Sequence, residues 1–155
     1  MTQKEQKEQS PHIAVVSQYI KDLSIENPNA PSSLVASTTS PSVELSLDLD
    51  ISKLEDSDNS FEVAIKIEST AKQDDLVLFV VELVYAGIFV LQNIPEDQYE
   101  PILAIHCPNL IFPFVRRIIS DVTAESGFQP LRIDPIDFSR LYKKKLEDMG
   151  AEGEA

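Results

Sequence analysis

The 155-residue sequence contains one cysteine, two histidines, four glycines and no tryptophan. One cysteine excludes a disulfide framework within the chain and any metal site built from several thiolates. Two histidines leave little material for a transition-metal site. Residues 1–10, MTQKEQKEQS, lack the apolar run of a secretory signal, so we expect a protein of the reducing cytoplasm.

Positive charge is also scarce, because 13 Lys and Arg residues stand against 26 Asp and Glu residues, for a net charge of −13. Nucleic acids and anionic membranes would repel such a chain. The most apolar stretch, residues 76–91, contains Glu82 and is shorter than the roughly 20 apolar residues that a bilayer requires. Apolar residues still make up 43% of the chain, which is enough for a folded core. We expect a disordered polar tail at 1–10, one domain at 11–149 and a flexible acidic tail at 150–155.

Three segments contain alternating apolar and polar residues, which is the pattern of a strand with one buried face, and they predict strands at residues 13–26, 43–51 and 61–70. A nearly continuous apolar run predicts a fourth strand at residues 76–91. Short turns after the second and third segments predict an antiparallel meander. Residues 27–42 contain three prolines and few large apolar side chains, so they predict a long loop.

The C-terminal third has apolar residues at helical spacing, with Gly127 as the predicted end of a first helix. Pro108 and Pro113 should kink or segment that helix. Asp134 and Pro135 predict the start of a second helix, as an N-cap followed by proline at the first helical position. One side of this second helix carries Phe138, Leu141, Tyr142, Leu146 and Met149. The predicted fold class is therefore α+β, with a four-stranded antiparallel sheet and two C-terminal helices packed on one face.

The fourth predicted strand is apolar on both faces, apart from Glu82. The two helices can cover one of these faces, but nothing in the chain is an obvious cover for the other. A soluble monomer rarely exposes that much contiguous apolar surface. We interpret it as an oligomer surface, a partner surface, or both.

No catalytic motif stands out, since the sequence has no GxSxG, HExxH, GxGxxG or phosphate-binding loop. His106 and Cys107 are neighbours, but adjacent helical residues do not face each other, so a buried free thiol is favoured over a nucleophile and its base. The carboxylates on the strands are typical of a solvated sheet face rather than a cation site. We therefore expect no enzyme, metal or cofactor.

Binding is the function that remains. A strongly acidic chain with surplus apolar surface suits a partner that is apolar and basic, such as an unfolded polypeptide. Apolar contacts are non-directional and would tolerate many sequences. No nucleotide site is evident, so such binding would be passive.

Four separated blocks resemble the SecB family of protein-export chaperones, in the family's order. They are KDLSIENPNAP at 21–31, AGIF at 86–89, CPNLIFPF at 107–114, and GFQPL at 127–131 leading to PIDF at 135–138. The resemblance extends over residues 13–149. It implies a cytoplasmic homotetramer, a dimer of dimers, that keeps unfolded precursor proteins translocation-competent and delivers them to the SecA motor ATPase.

The resemblance also implies three sets of site residues. The set that docks the motor ATPase is acidic and comprises Asp22, Glu26, Val80 and Glu82. The set at the tetramer interface comprises Val81, Leu83 and Tyr85. The set in the client groove, between the long loop and the second helix, comprises Phe79, Leu34, Val35, Phe138 and Tyr142. In that family the motor docks through a small basic tail that bears zinc, so any zinc would belong to the partner. The loop at 32–42 lacks large aromatic side chains, which predicts a shallower client groove.

Two other functions stay open on the sequence. A SecB-like chaperone of a toxin–antitoxin pair would share the fold but not the motor, and the acidic docking residues favour export instead. A small-ligand carrier or enzyme would place a pocket between the sheet and the helices. A deep enclosed cavity would favour that second alternative, whereas an open groove would favour a chaperone.

Overall fold

A computed structural model describes residues 10–35 and 40–153 of the chain. Four strands, β1 (His12–Glu26), β2 (Ser42–Lys53), β3 (Ser60–Gln73) and β4 (Leu76–Gln92), form one antiparallel sheet. Their order across the sheet is β1-β4-β3-β2, so β1 and β2 are the edge strands. The predicted α+β class and the β2-β3-β4 meander are confirmed. β2 and β3 extend beyond both predicted ends, whereas β1 gains one residue at its start and β4 gains one at its end.

The first strand pairs with the strand that is most distant from it in the sequence. It pairs with β4, with Asp22 opposite Val84 and Glu26 opposite Val80. The connection from β1 to β2 must therefore cross from one edge of the sheet to the other, which gives a Greek-key order. Asn27 and Asn29 tie this crossing loop down, because their side-chain amides donate to Ser126 O (2.9 Å) and Val77 O (2.8 Å).

The first long helix, α1 (Glu96–Glu125), changes type along its length. It starts with a 3-10 turn and passes through a π-helical segment, Ile102–His106, before an α-helical segment, Cys107–Glu125. Pro108 cannot donate a backbone hydrogen bond to the preceding turn, which accounts for the wider turn just before it. The segmentation predicted near Pro108 is thus a change of helical type. Pro113 lies within the α-helical segment.

The second helix, α2 (Phe138–Gly153), begins later than predicted. Asp137 caps it, since its Oδ1 accepts from the Arg140 amide at 3.2 Å, so the prediction of Asp134 as the N-cap was wrong. The reason is that the preceding segment stays extended along α1. Ile133 O there accepts a 2.7 Å hydrogen bond from Arg116 Nε, which holds the chain out of a helical turn.

Both helices lie on one face of the sheet, which is called the inner face below; the other is the outer face. The core consists of inner-face side chains of β3 and β4 packed under α1. The fully buried members include Val63, Ile65, Ile67, Val81, Leu83, Phe89, Ile111, Val115 and Ile119. By length and composition α1 could cross a membrane, but 44% of its most apolar window is buried in this core.

A bulge changes one predicted face of β4. Period-two counting puts Leu78 in the same row as the outer-face residues Val80 and Glu82. Leu78 is nevertheless buried in the core together with its neighbour Phe79. The pairing of β3 with β4 shifts register between Ala71 and Lys72, opposite this point. A bulge inserts one unpaired residue and turns the side chains around it, which period-two reading of a sequence does not detect.

Gly127, at the end of α1, has a left-handed backbone conformation that a substitution can test. Gly127 has a φ of 94°, and its amide donates to Ala124 O (3.1 Å) while Phe128 N donates to Thr123 O (3.2 Å). A Cβ at Gly127 would lie 2.8 Å from Cδ2 of Leu34. We expect Gly127→Ala to lower the free energy of unfolding by about 1–2 kcal/mol, measured by urea denaturation.

The matched control is Gly150→Ala, because a Cβ at Gly150 in α2 would meet nothing within 4 Å. Alanine has the higher helix propensity, so this substitution should leave stability unchanged or raise it slightly. Equal effects of the two substitutions would contradict the assigned backbone conformation of Gly127.

Candidate functional site

The four residues predicted for motor docking are adjacent on the outer face of the sheet. Glu26 on β1 lies directly opposite Val80 on β4, and Asp22 lies opposite Val84. Glu82 stands between those two β4 positions. Asp22 and Glu26 are exposed, whereas Val80 and Glu82 are half-buried. These four residues, called the docking surface below, combine carboxylates with an apolar side chain on the edge strand β1 and the adjoining strand β4.

Negative charge dominates the outer face around the docking surface. Glu82 lies directly opposite Glu68 on β3. Like charges at opposed positions destabilise a sheet, so packing does not explain this pair. The nearby Lys66 forms a 3.2 Å ion pair with Glu68. Its hydrogen bond to Glu68 and the field of Glu68, Glu82 and Asp48 hold the pKa of Lys66 above the usual value for lysine. The surface therefore suits a basic partner.

The residues predicted for the tetramer interface lie inside the single chain. Val81 and Leu83 are both 0% exposed beneath α1, and Tyr85 is buried beside them. The Tyr85 ring stacks on Phe114 of α1 at 6.2 Å, and its hydroxyl donates to Gln18 Oε1 at 3.2 Å. These three side chains therefore form part of the core beneath α1 and are not on the surface of the single chain.

Exposed apolar side chains surround that layer, on the inner face of β1 and on the adjoining side of α1. Leu23 is 37% exposed although it lies directly opposite Leu83, and Ile20 lies opposite Tyr85. Alternation predicts one buried face for the first strand, and Ile25 on that face does pack against the core, but Leu23 is left exposed because α1 does not cover this part of β1. The set, called the β1–α1 patch below, comprises Val15, Val16, Ile20, Leu23, Leu110 and Phe114.

A groove lies between β2 and α2 on the inner face of the sheet, with a volume of about 470 Å³. Phe138 and Tyr142, both predicted for the client groove, line it. Burial and the nearby Glu100 raise the pKa of the Tyr142 hydroxyl above its usual value. The other apolar residues that line it were not predicted for the client groove; they are Leu47, Leu49, Ile51, Ala104, Leu141, Leu146 and Met149. This is the β2–α2 groove below.

A second groove, of about 490 Å³, lies at the other end of β2. Phe79, also predicted for the client groove, lines it and packs against Phe128 with ring centroids 5.1 Å apart. Val43 of β2 and Leu131 contribute further apolar surface. This second groove, called the loop groove below, is separate from the β2–α2 groove, so the structure does not bring Phe79 together with Phe138 and Tyr142.

The two loop residues predicted for the client groove line neither of these cavities. Leu34 is exposed and its side chain lies against Gly127, while Val35 is 71% exposed. Residues 36–39 of the predicted loop lie outside the described residues. One sequence signal could have pointed to the groove lining that was missed. The apolar row of residues 43–51 alternates without interruption, and the same two predicted helices must also cover the apolar faces of the third and fourth strands.

Comparison with known proteins decides the family. A family model described as preprotein translocase subunit SecB matches residues 6–149. The chain belongs to the SecB family. The protein-export protein SecB of Rickettsia akari is 53% identical over 141 residues, which cover 91% of this chain and 92% of that protein. The corresponding protein of Rickettsia felis is 52% identical over the same lengths.

A solved structure supports the SecB fold. The SecB-like chaperone of Mycobacterium tuberculosis, in complex with a peptide from the HigA1 antitoxin, superposes with a TM-score of 0.66 at 13% identity. The match covers 81% of this chain and 91% of that chain. The resemblance seen in the sequence is confirmed, and this SecB protein is a chaperone of the preprotein-export family.

The single thiol of this SecB protein is poorly placed for chemistry. Burial raises the pKa of Cys107 to about 12, and the side chain is 0% exposed. Thiolate is the reactive form, so the thiol should be inert at neutral pH. Within residues 10–35 and 40–153, no group of three or more His, Cys, Asp or Glu side chains could hold a metal ion.

We expect Cys107→Ser to leave suppression of client aggregation intact, because the thiol packs in the core and contacts no groove. Burying a hydroxyl should lower the free energy of unfolding by about 1–3 kcal/mol, whereas the control Cys107→Ala avoids that polar cost. Aggregation assays and urea denaturation of both variants check this. Loss of chaperone activity in a folded Cys107→Ala variant would overturn it.

Proposed function

We propose that this SecB protein is an ATP-independent, non-enzymatic chaperone of the cytoplasm, which holds unfolded precursor proteins in an export-competent state and delivers them to the SecA motor ATPase. The observation that carries the proposal is the uncovered apolar row of β2, which joins two open grooves on the inner face. The outer face carries the acidic docking surface instead. Client and motor would thus bind opposite sides of one sheet.

The grooves have the properties that a general holdase needs. Leu141, Leu146 and Met149 are exposed at the β2–α2 groove, so an incoming chain can bury apolar surface there without a conformational change. Non-directional apolar contact accepts many sequences. The net charge of −13 would speed encounter with basic segments and make the rate sensitive to salt. Binding of the unfolded form then withdraws it from folding and aggregation by mass action.

A homotetramer, as a dimer of dimers, accounts for the apolar surface that remains. The β1–α1 patch is contiguous with the core layer of Val81, Leu83 and Tyr85, and β1 is an edge strand. A soluble protein rarely leaves such a patch in water. We assign the direct contacts between subunits to the β1–α1 patch, with Val81, Leu83 and Tyr85 supporting α1 from below.

Delivery to the motor is supported by the chemistry of the docking surface. Its carboxylates suit a partner with basic residues, and Val80 offers an apolar contact beside Glu26 at one end of the surface. The SecA docking tail expected from the family is basic and carries its own zinc, which fits this charge. The docking surface lies outside both grooves, so a loaded chaperone could still engage the motor.

The two alternatives receive less support. The protein-export protein SecB of Rickettsia akari is 53% identical to this chain, whereas the SecB-like chaperone in complex with an antitoxin peptide is 13% identical. A small-ligand carrier or enzyme would need an enclosed cavity with convergent polar groups. The two grooves described here have exposed side chains at their mouths.

We expect Leu146→Asp to raise the dissociation constant for an unfolded precursor about tenfold, since it places a carboxylate in the apolar lining of the β2–α2 groove. The matched control is Leu76→Asp, because Leu76 is comparably exposed but lines neither groove. Fluorescence anisotropy with a labelled precursor gives the affinities. Light scattering gives the mass, which should be that of a tetramer in both variants.

The wild-type protein should suppress aggregation of a denatured precursor without added nucleotide. A monomer that fails to bind denatured precursors would refute the proposed function as a whole. Equal weakening by Leu146→Asp and Leu76→Asp would refute the groove assignment alone.

A further inference from the structure

We propose that Glu62 is a positioning residue for motor docking, because it holds the ammonium group of Lys21 away from the docking surface. This inference rests on the proposed delivery to SecA and adds to it a residue that lies outside the docking surface. Asp22 of that surface is the next residue along the chain, so the position of the Lys21 charge alters the electrostatic field there. An ammonium group placed at the surface would repel a basic partner.

A bulge in β1 places Lys21 and Asp22 on the same face of the sheet, whereas strict alternation would put them on opposite faces. The pairing of β1 with β4 shifts register between Ile20 and Asp22, so Lys21 is the extra residue. A bulge redirects the side chains around it. The Lys21 ammonium reaches Glu62, which is adjacent to the core residue Val63 and therefore faces outward. Lys21 and Asp22 thus share the outer face.

Two donors hold the carboxylate of Glu62. Lys21 Nζ donates to Oε1 at 2.8 Å, and the Tyr19 hydroxyl donates to Oε2. The Glu62 side chain is only 16% exposed, so its charge depends on these partners. The hydrogen bonds from Lys21 and Tyr19 hold the pKa of Glu62 below its usual value. Burial and the hydrogen bond to Glu62 raise the pKa of Tyr19 to about 12. At neutral pH the cluster therefore contains one carboxylate, one ammonium and a neutral phenol.

Small side chains beneath the cluster give Tyr19 and Lys21 room to cross β4. Tyr19 lies opposite Ala86 on β4, and Ala86 lies opposite Ala64 on β3. These alanines face outward, yet they are 0% and 5% exposed. Because both helices lie on the inner face, the cover comes from side chains that cross the outer face, as Tyr19 and Lys21 do to reach Glu62.

The ion pair directs the Lys21 charge away from the docking surface, which extends along β1 from Asp22 to Glu26. On β3, Lys66 stands in the same cross-strand row as Asp22, and Glu62 is four residues farther from Glu26. Four residues of a strand span roughly 13 Å. Without the Glu62 carboxylate, the flexible Lys21 side chain is free to turn toward Asp22, which has the opposite charge, and to neutralise it.

Glu62→Gln tests the proposal, because it keeps the shape of the side chain and removes the charge that holds Lys21. We expect the dissociation constant for SecA to rise about fivefold, measured by surface plasmon resonance with the full-length protein. The matched control is Glu44→Gln, which removes the same charge from an exposed position on the same face and leaves the ion pair intact.

The control position separates the role of the ion pair from that of net charge. Glu44 lies in the cross-strand row that contains Val80 and Glu26, so an effect of charge alone would be at least as large there as at Glu62. We expect Glu44→Gln to raise the dissociation constant less than about twofold. Equal effects of Glu44→Gln and Glu62→Gln would overturn the positioning role.

A double variant supplies a result that a purely structural role of Glu62 would not produce. Without the ammonium group there is nothing for Glu62 to hold, so Lys21→Met with Glu62→Gln should bind SecA within about twofold of Lys21→Met alone. Lys21→Met alone should bind at least as tightly as the wild type. The proposal is overturned if Glu62→Gln weakens binding equally in both backgrounds. A loss in Lys21→Met alone would also overturn it, because Lys21 would then contact the motor directly.

Tyr19→Phe separates stability from docking, since it removes a hydroxyl donor and leaves the ion pair of Lys21 with Glu62 in place. The urea midpoint of unfolding should fall, while the affinity for SecA stays within about twofold of the wild type. Weakening of SecA binding as large as that of Glu62→Gln would contradict the proposal.

Binding of a labelled precursor should persist in all these variants, because neither groove contains Tyr19, Lys21 or Glu62. Loss of precursor binding together with SecA binding in Glu62→Gln would show a general structural defect and overturn the proposal. Failure of the wild-type protein to bind SecA would instead refute the proposed delivery to the motor, so the two failures are distinguishable.

Discussion

Leu83→Asp should destroy the native fold of the subunit rather than only separate subunits from one another. Leu83 is 0% exposed, lies between Leu23 on β1 and Ile67 on β3, and is covered by α1. An unpaired carboxylate at such a position costs several kcal/mol, which is comparable with the 5–15 kcal/mol of stability of a typical domain. Circular dichroism and urea denaturation measure the loss. A folded variant with an unchanged unfolding midpoint would contradict the burial of this residue.

The matched control for assembly is Leu23→Asp. Leu23 is the cross-strand neighbour of Leu83 and carries the same side chain, but it belongs to the exposed β1–α1 patch. We expect this variant to keep its secondary structure while its mass by light scattering falls below that of the wild type. Retention of the full mass would show that the patch is not a subunit interface.

Charge reversal of the docking surface should have the second large effect. Replacement of Asp22, Glu26 and Glu82 by lysine should raise the dissociation constant for SecA roughly 10- to 100-fold, because surface charge governs encounter and register at such an interface. Client binding should persist, since neither groove contains these residues. Surface plasmon resonance with SecA and anisotropy with a precursor measure the two affinities in parallel.

The control variant carries the same change in net charge at exposed positions in the strand turns. Its substitutions are Glu55→Lys, Asp56→Lys and Asp75→Lys. It should bind SecA nearly as well as the wild type does, and a rise in salt should narrow any remaining difference. Equal losses of SecA binding in the two triple variants would show that net charge alone, rather than the docking surface, attracts the motor.

Features of the fold that depend on neighbouring residues could be predicted from the sequence, whereas features that depend on distant residues could not. The strands were predicted nearly to their ends, because alternation is a local property of the chain. Gly127 was recognised as the end of α1 because a left-handed residue there favours glycine. The errors came from contacts with distant parts of the chain. The bulge at Leu78 depends on β3, and the late start of α2 depends on the hydrogen bond from Arg116 to Ile133.

The predicted site residues illustrate the same distinction. Family resemblance assigned Asp22, Glu26, Val80 and Glu82 together, and the pairing of β1 with β4 makes them neighbours. The client-groove residues, in contrast, divide between two grooves. Phe79 packs with Phe128 beside the loop groove, whereas Phe138 and Tyr142 belong to α2, and no local pattern shows which of these distant segments meet.

By itself, the sequence determined which residues form strands and helices, which of them share a face, and to which family the chain belongs. Only the tertiary structure decided which apolar faces are covered. Leu83 is buried and Leu23 beside it is not, although both occupy the apolar row of a strand. The physical reason is that periodicity assigns a side chain to a face, whereas its burial depends on whether another element of finite length reaches that part of the face.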